Sequence, residues 1–155
     1  MNPLESYTLP EHARRSESVR VARILEIAVS DRFGEIDLAR QVSEGLSTNS
    51  VRALVDLFGR REIVGPVVPE ATFRRFEKAG KPLPRQYSER IYLLGRIVDV
   101  VGRVYQGDID RVRAFMTRSH PLLDGETPLD LARSGSAGAD VVLNLVLRAE
   151  AGIAV

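Results

Sequence analysis

The chain has 155 residues and a net charge of +1, and 44% of its residues are hydrophobic, which is enough for a packed core without disulfides or metals as staples. It has no cysteine and only two histidines, so disulfides and cysteine–zinc sites are excluded, and a metal site or a Ser-His-Asp triad is disfavoured. No apolar run has the length of a membrane helix, and the first twenty residues are polar rather than signal-like, so we expect a cytoplasmic protein.

Charge is spread unevenly along the chain. Residues 1–48 carry six Arg against eight acidic residues, residues 49–107 carry eleven Lys and Arg against six, and residues 108–155 carry five Arg against seven. The three sums are −2, +5 and −2, which recover the net charge of +1. The middle third is therefore where a nucleic-acid contact is to be sought.

The first 33 residues give weak structural signals. Residues 1–18 mix prolines with charges of both signs and have no apolar period, so we expect them to be mobile. Val19–Phe33 fits both a strand period and a helix period. Helix is favoured here because everything after it is helical.

Two helices are predicted next. Ile36–Glu44 has the apolar spacing of a helix and is closed by Gly45. The second helix covers Ser50–Phe58, is stopped by Gly59, and has Thr48 or Asn49 as its cap.

The segment Arg60–Gly80 has the order of a helix-turn-helix motif. A short helix, RREIV, is broken at Gly65-Pro66, and Pro69-Glu70 opens a second helix that ends at Gly80. In such motifs the second helix enters the major groove of DNA. The candidate DNA contacts are Arg60, Arg61, Thr72, Arg74, Arg75, Lys78 and Lys81.

The alternative for this segment is an ordinary solvated face, which charged helices show routinely. Phe73 and Phe76 are predicted to face inward and the basic residues outward, as either interpretation requires. Against DNA binding, the turn contains both Pro66 and Pro69, and short polar residues that could read base edges are few.

Pro84 starts the longest predicted helix, which continues to about Gln106 and which we call the spine helix. Two apolar stripes run along it side by side, more than one packing partner requires. The second stripe therefore predicts an additional partner, either the C-terminal helices or a second copy of the chain. Asp108 caps a further helix, Ile109–Thr117.

The stop and start signals after residue 118 are explicit. Ser119-His120-Pro121 ends one helix, since a residue before proline avoids the α region, and Asp124-Gly125 forms a turn. Thr127 is placed as N-cap of a short helix that runs to Arg133, with Pro128 at its first position. Gly135 is expected to close that helix in a left-handed conformation.

The last predicted helix, Ala137–Glu150, is apolar nearly all round and ends at Gly152. Among the seven residues 141–147 only Asn144 is polar. Surface helices normally hide one stripe of about a hundred degrees. This helix is therefore either central to its own core or exposed for a second surface.

At LDGETPLDLA and GADVVLNLVLRAEAG the chain resembles the toxin-binding domain of the Xre/MbcA/ParS antitoxins, over residues 85–152 and more loosely back to about residue 18. The resemblance implies an all-α, homodimeric antitoxin with a RES-domain toxin that acts on NAD as its partner. It also implies a helix-turn-helix that represses the protein's own operon. Three parts follow: a mobile segment 1–18, a helical, helix-turn-helix-like DNA-binding part 19–83, and a toxin-binding domain 84–155 that begins with the spine helix.

The resemblance further implies that the C-terminal end closes the toxin's NAD pocket. The matching positions are Arg148, Glu150, Gly152, Ile153 and Val155, with the preceding segment contributing Leu122, Asp124, Thr127, Leu129 and Arg133. The alternative is that residues 151–155 fray and that Leu129 with its capped helix makes all toxin contacts.

Two other function classes compete with the antitoxin. A stand-alone helix-turn-helix repressor would use the C-terminal helices only for dimerisation. An enzyme is disfavoured, because the nearest carboxylate cluster is formed by Asp124, Glu126 and Asp130, and two of these serve turn and cap chemistry. We expect no catalytic residue, no cofactor and no metal.

Overall fold

The computed structural model describes residues 2–9, 11 and 15–152, and within these ranges the chain is all-α, as predicted. They contain nine α-helices and no β-strand. The helices are α1 Glu17–Ile24, α2 Glu35–Glu44, α3 Thr48–Phe58, α4 Arg60–Ile63, α5 Glu70–Ala79, α6 Arg85–Val104, α7 Ile109–Thr117, α8 Pro128–Arg133 and α9 Ser136–Glu150. Short 3-10 helices cover Glu5–Thr8 and Pro121–Leu123. None of the helices described combines the length and the apolar character needed to cross a membrane.

The chain divides into two compact units. The helical unit is Arg15–Gly95, and the terminal unit joins Met1–Arg14 to Arg96–Val155. The division falls inside α6, whereas the sequence places a domain boundary before the spine helix, at residue 84.

The first helix of the helical unit is shorter than predicted. The expectation of a helix over Val19–Phe33 is wrong beyond Ile24, where α1 ends. Glu26 adopts a left-handed conformation with φ 55°, and the Ile27 N–H donates to the Ala22 carbonyl at 2.8 Å. This is the hydrogen bond of a Schellman termination, formed here without glycine, which explains why the sequence gives no stop signal.

A tight turn joins α2 to α3. Gly45 has φ 113°, and a Cβ there would collide with the Leu83 carbonyl oxygen, so glycine is required for both reasons. The predicted cap of α3 is corrected from Thr48 or Asn49 to Ser47, whose Oγ accepts from the Asn49 N–H at 3.1 Å.

Buried hydroxyls tie this turn and α3 to the rest of the helical unit. The Leu46 N–H donates to Ser88 Oγ at 2.8 Å, and Ser50 Oγ donates to the Leu25 carbonyl at 2.6 Å. A buried polar group without a hydrogen-bond partner is costly, and each of these two serine hydroxyls has such a partner on the backbone. They fix α6 and the end of α1 against the α2–α3 pair.

The order of α4, turn and α5 is confirmed. Gly59 and Gly80 end α3 and α5 with positive φ, as predicted. Phe73 is buried and Phe76 is half-buried, so the inward face of α5 is also the predicted one.

In the terminal unit, α8 and α9 pack closely against each other. Thr127 Oγ1 accepts from the Asp130 N–H at 3.0 Å and caps α8, which confirms the predicted N-cap. Gly135 is not the left-handed end of α8. It has an extended ψ of −179° and is the N-cap of α9, while Ser134 ends α8. Gly138 permits the close approach, because a Cβ there would collide with the Leu131 carbonyl oxygen.

The N-terminal segment, which the sequence predicts to be mobile, packs in the terminal unit at Leu4. The Leu4 side chain is 0% exposed and lies against Gly102. Asn2 Oδ1 accepts from the Leu4 N–H at 2.8 Å. Mobility is expected because the segment has no apolar periodicity. A single buried leucine just before a 3-10 helix produces no periodic pattern, so the sequence does not reveal it.

Both apolar stripes of the spine helix are already covered within the chain. The core positions on α6 are Ile91, Leu94, Ile97, Val98, Val100 and Val101, all at most 1% exposed. Leu25 packs at Gly95 in the helical unit, and Leu4 packs at Gly102 in the terminal unit. The double stripe therefore does not require a second copy of the chain.

Leu4→Ala should lower the free energy of unfolding by about 2–5 kcal/mol, since it empties a fully buried site. Leu9→Ala removes the same atoms in the same segment at a side chain that is 46% exposed, and should change stability by less than about 0.5 kcal/mol. Urea denaturation followed by circular dichroism measures both. Equal, small effects would contradict the docking of this segment.

Candidate functional site

The predicted toxin-contact residues of the segment 122–133 divide into exposed and buried ones. Leu122 and Asp124 lie at the surface, where Leu122 is 55% exposed and Asp124 is exposed as well. Asp124 forms a left-handed turn with φ 55°. Leu129 is 1% exposed. Leu129 therefore belongs to the core in the free chain, and its predicted contact with a partner would require that the core opens.

Two further residues of this segment serve α8 itself. Thr127 has its hydroxyl committed to the cap, and the Arg133 guanidinium pairs with Asp130 three residues earlier. Ion pairs at this spacing support a helix modestly. Arg133 is therefore engaged with a residue of its own helix, and it is only partly exposed.

The last helix has both a side buried in the core and an exposed side, so each of the two alternatives for its apolar sequence holds for one side. Five of its residues are buried and hold the core of the terminal unit: Ala139, Val142, Leu143, Leu145 and Val146. The opposite face is exposed and mixed in character. It carries Val141 and Leu147, at 49% and 39% exposure, together with Asn144 and Arg148. These four residues follow helical spacing along one side, and we call them the outer face of α9.

A chain of polar groups runs from a buried carboxylate on α6 to the partly exposed end of α9. Asp99 on α6 is 0% exposed and accepts from the Tyr7 hydroxyl at 2.5 Å. Arg103 Nε lies 3.6 Å from Asp99 Oδ2, and Arg103 Nη1 lies 2.6 Å from Glu150 Oε1. Glu150, expected as a toxin contact, is thus engaged within the chain.

Gly152 follows α9 with φ 80° and donates its N–H to the Ala149 carbonyl at 3.1 Å. This is the predicted end of the last helix, and it turns the chain away from the helix axis. Ile153 and Val155, the remaining predicted contacts, lie outside the described residues.

Residues 99–152 match the family model of the antitoxin Xre/MbcA/ParS C-terminal toxin-binding domain. This segment is a toxin-binding domain of the Xre/MbcA/ParS antitoxin family. A search of curated proteins gives no match to the chain.

The toxin-binding domain begins at the buried carboxylate Asp99 and ends at Gly152, so it contains the α8–α9 pair, the outer face of α9 and the Arg103–Glu150 ion pair. An antitoxin role in a toxin–antitoxin system follows from the presence of this domain. The basic middle of the chain lies outside the matched residues.

That middle part presents cations on α4, α5 and the segment after them. Arg61, Arg74, Arg75, Lys78 and Lys81 are exposed, Arg60 is half-exposed in its side chain, and Thr72 is half-buried. We call these seven residues the basic surface. The predicted DNA contacts are thereby brought onto neighbouring elements of one unit.

Glu70 sits among these cations. Its Oε1 accepts from Arg60 at 3.1 Å and from Arg74 at 2.9 Å, and the hydrogen bond from Arg60, followed by the charge of Arg74, lowers the pKa of the carboxyl group. Two of the six cations are therefore already paired, while Arg61, Arg75, Lys78 and Lys81 have no ion-pair partner within the described ranges. The sequence gives no signal for this pairing across the turn.

Aromatic rings support two of the arginines. The Arg60 guanidinium lies 5.5 Å from the centre of the Phe73 ring, and that of Arg75 lies 5.1 Å from the centre of the Phe76 ring. Such cation–π contacts orient a guanidinium without neutralising it. Arg75 consequently stays available to an anion.

The described part of the chain contains no group of three or more His, Cys, Asp or Glu side chains arranged to hold a metal ion. Asp124, Glu126 and Asp130 follow one another closely in sequence, but Asp130 pairs with Arg133.

Proposed function

We propose that the protein is the antitoxin of a type II toxin–antitoxin system whose toxin has a RES domain and acts on NAD. In this proposal the terminal unit binds the toxin and the end of the chain blocks its NAD site. The observation that supports the first step most directly is the outer face of α9, a half-apolar helix face left exposed inside a toxin-binding domain.

The outer face has the physical character of a binding surface. Val141 and Leu147 leave apolar area in water. Full burial of such side chains is worth about 1.5–3 kcal/mol, so covering the roughly half that is still exposed would contribute about 0.6–1.5 kcal/mol each. The buried residues of the same helix hold its backbone, so the backbone loses little conformational entropy on binding. Arg148 adds a charge at the end nearer to the tail.

Occlusion of the NAD site is assigned to residues after Glu150. The Arg103–Glu150 pair holds the last turn of α9, and Gly152 redirects the chain directly after it. A guanidinium such as that of Arg148 pairs well with acidic groups in a pocket made for a dinucleotide. The proposal therefore has α9 deliver the tail, including Ile153 and Val155, from a rigid base.

The basic surface is proposed to bind operator DNA, with α5 as the helix nearest to the groove. Its contacts would go mainly to phosphates, since guanidinium and ammonium groups predominate and Thr72 is the one short polar residue among the seven. A repressor without a toxin is less well supported, because the chain contains a toxin-binding domain.

A homodimer forms part of the proposal on the strength of the family resemblance alone. The stripes of α6, which suggested it from the sequence, are covered within the chain. Exposed apolar residues that remain for a second copy include Ile36, at 68% exposure on α2.

Leu147→Asp should weaken binding of the full-length protein to its RES toxin by about tenfold or more, because apolar contact is lost and an unpaired carboxylate is placed in the interface, which together exceed about 1.4 kcal/mol. Isothermal titration calorimetry measures the affinity. Val29→Asp is the matched control, since it places the same charge at a residue of the helical unit whose exposure, 37%, is close to the 39% of Leu147. Equal affinities of Leu147→Asp and the parent would remove the outer face of α9 from the interface.

Deleting residues 153–155 tests occlusion separately from binding. The deletion keeps Arg148 and the Arg103–Glu150 pair, so the complex should persist while NAD consumption by the toxin returns. Deleting residues 148–155 also removes this ion pair and should weaken the complex further. Full inhibition by both truncated proteins would move the blocking site to residues 122–133.

For DNA, the double change Arg75→Ala with Lys78→Ala should reduce the slope of log K against log salt by about 1.8, at about 0.9 for each lost phosphate contact. Fluorescence anisotropy with a duplex from the region upstream of the gene, at several salt concentrations, measures the slope. Arg40→Ala removes an exposed cation of α2 outside the basic surface and should leave the slope unchanged. If the double variant keeps the parent slope, α5 does not contact phosphates.

Glu70→Gln tests DNA binding by the basic surface in the opposite direction, and the same anisotropy titration measures it. It releases Arg60 and Arg74 from their shared carboxylate and should strengthen DNA binding, whereas a surface that does not contact DNA would be indifferent to it.

A further inference from the structure

A surface cleft of about 470 Å³ lies in the terminal unit, lined by α7, the residue after α6 and the segment that follows α7. Its chemistry is set by Arg111, Arg118, Tyr105, Phe115 and His120. Neither the cap of α8 nor the outer face of α9 contributes a residue to it. Its size falls within the range of about 300–1,000 Å³ typical of small-molecule sites.

The charge of the cleft is of one sign. Two arginines line it and no carboxylate does. Arg118 has no ion-pair partner within the part of the chain that the structure describes. Arg111 approaches Asp108 Oδ2 at 3.6 Å on the exposed side of α7, a surface contact worth little. The other oxygen of Asp108 is committed to capping α7. Both guanidinium groups are consequently available to an anion.

His120 adds a hydrogen-bond donor of defined tautomer. Its Nδ1 accepts from the Leu122 N–H at 3.2 Å, so the proton of the neutral ring is on Nε2. The ring also packs edge-on to Phe115, with centroids 6.1 Å apart, and Phe115 is 6.1 Å from the ring of Tyr105. Three rings, tilted by 51° and 66° from one to the next, thus line the cleft beside its two cations, and each is a separate face against which a planar group can pack.

We infer that this cleft binds a nucleoside phosphate. A phosphate group matches the planar fork of a guanidinium and accepts two hydrogen bonds from it, and a nucleobase stacks on aromatic rings. A single Asp or Glu side chain of a partner protein would satisfy the arginines but would fill only a small part of the cleft and leave the rings uncovered. The inference does not depend on the identity of the toxin or on DNA binding.

Calorimetric titration of the full chain with AMP, adenosine and inorganic phosphate tests the assignment. AMP should bind more tightly than either of its parts, because it alone engages the cations and the rings together. Arg118→Gln should weaken AMP binding by about tenfold or more, as expected for a lost charge-assisted hydrogen bond. Arg118 is exposed and follows the end of α7, so this variant should keep the parent's thermal unfolding midpoint.

Two more variants separate the site from general attraction of an anion. Phe115→Leu should also weaken AMP binding while leaving the weak binding of inorganic phosphate unchanged. Arg113→Gln makes the same change of charge on α7 outside the cleft lining, and should bind AMP as the parent does.

The inference is overturned if AMP binds no more tightly than phosphate, or if Arg113→Gln loses as much affinity as Arg118→Gln. It is also overturned if no nucleotide binds and Arg118→Gln instead weakens the complex with the toxin, which would assign the cleft to an acidic side chain of that partner.

Discussion

The terminal unit depends on one buried carboxylate. Asp99 is completely buried on α6, and a buried charge is tolerated only where it is paired and hydrogen-bonded. The Tyr7 hydroxyl supplies the hydrogen bond, and the Arg103 guanidinium supplies the charge and extends to Glu150 at the end of α9. Three stretches that are distant in sequence therefore meet in one polar chain. Removing Tyr7 or Arg103 leaves the buried Asp99 without one of its two partners, and removing Arg103 also releases Glu150 at the end of α9.

Local chemistry was sufficient to predict most of the helix boundaries from the sequence. Thr127 caps α8 and Pro128 occupies its first position, because side-chain caps and the fixed φ of proline act within one turn. Gly59 and Gly80 end their helices for an equally local reason. The same approach missed the end of α1, where Glu26 takes the left-handed position that glycine usually occupies. Hydrogen bonds of the termination offset the steric strain at that residue, and nothing in its side chain signals this.

Two residues of the spine helix depend on distant partners that the sequence does not reveal. Helical periodicity places Ser88 and Asp99 on the polar side of that helix, yet both are fully buried. Their partners, Leu46 and Tyr7, lie 42 and 92 residues away, so helical periodicity alone classed them as surface residues. The basic surface shows the same limit. Its cations were identified individually, but Glu70 pairs Arg60 across the turn, and this determines which of them remain available to an anion.

The last helix shows why a nearly all-apolar sequence was ambiguous and how the fold uses it. Val142 and Val146 are buried, whereas Val141 and Leu147 on the opposite side are exposed. Gly138 brings the start of this helix against the α8 backbone, and the Arg103–Glu150 pair holds its end. The backbone of this helix is thereby held at both ends, so the Cα positions of the exposed residues are set before a partner binds. A substitution on the buried side should therefore affect stability and binding together, while one on the outer face should mainly affect binding. Leu147 can report on a partner because 39% of its side chain is exposed in the free chain and remains to be covered.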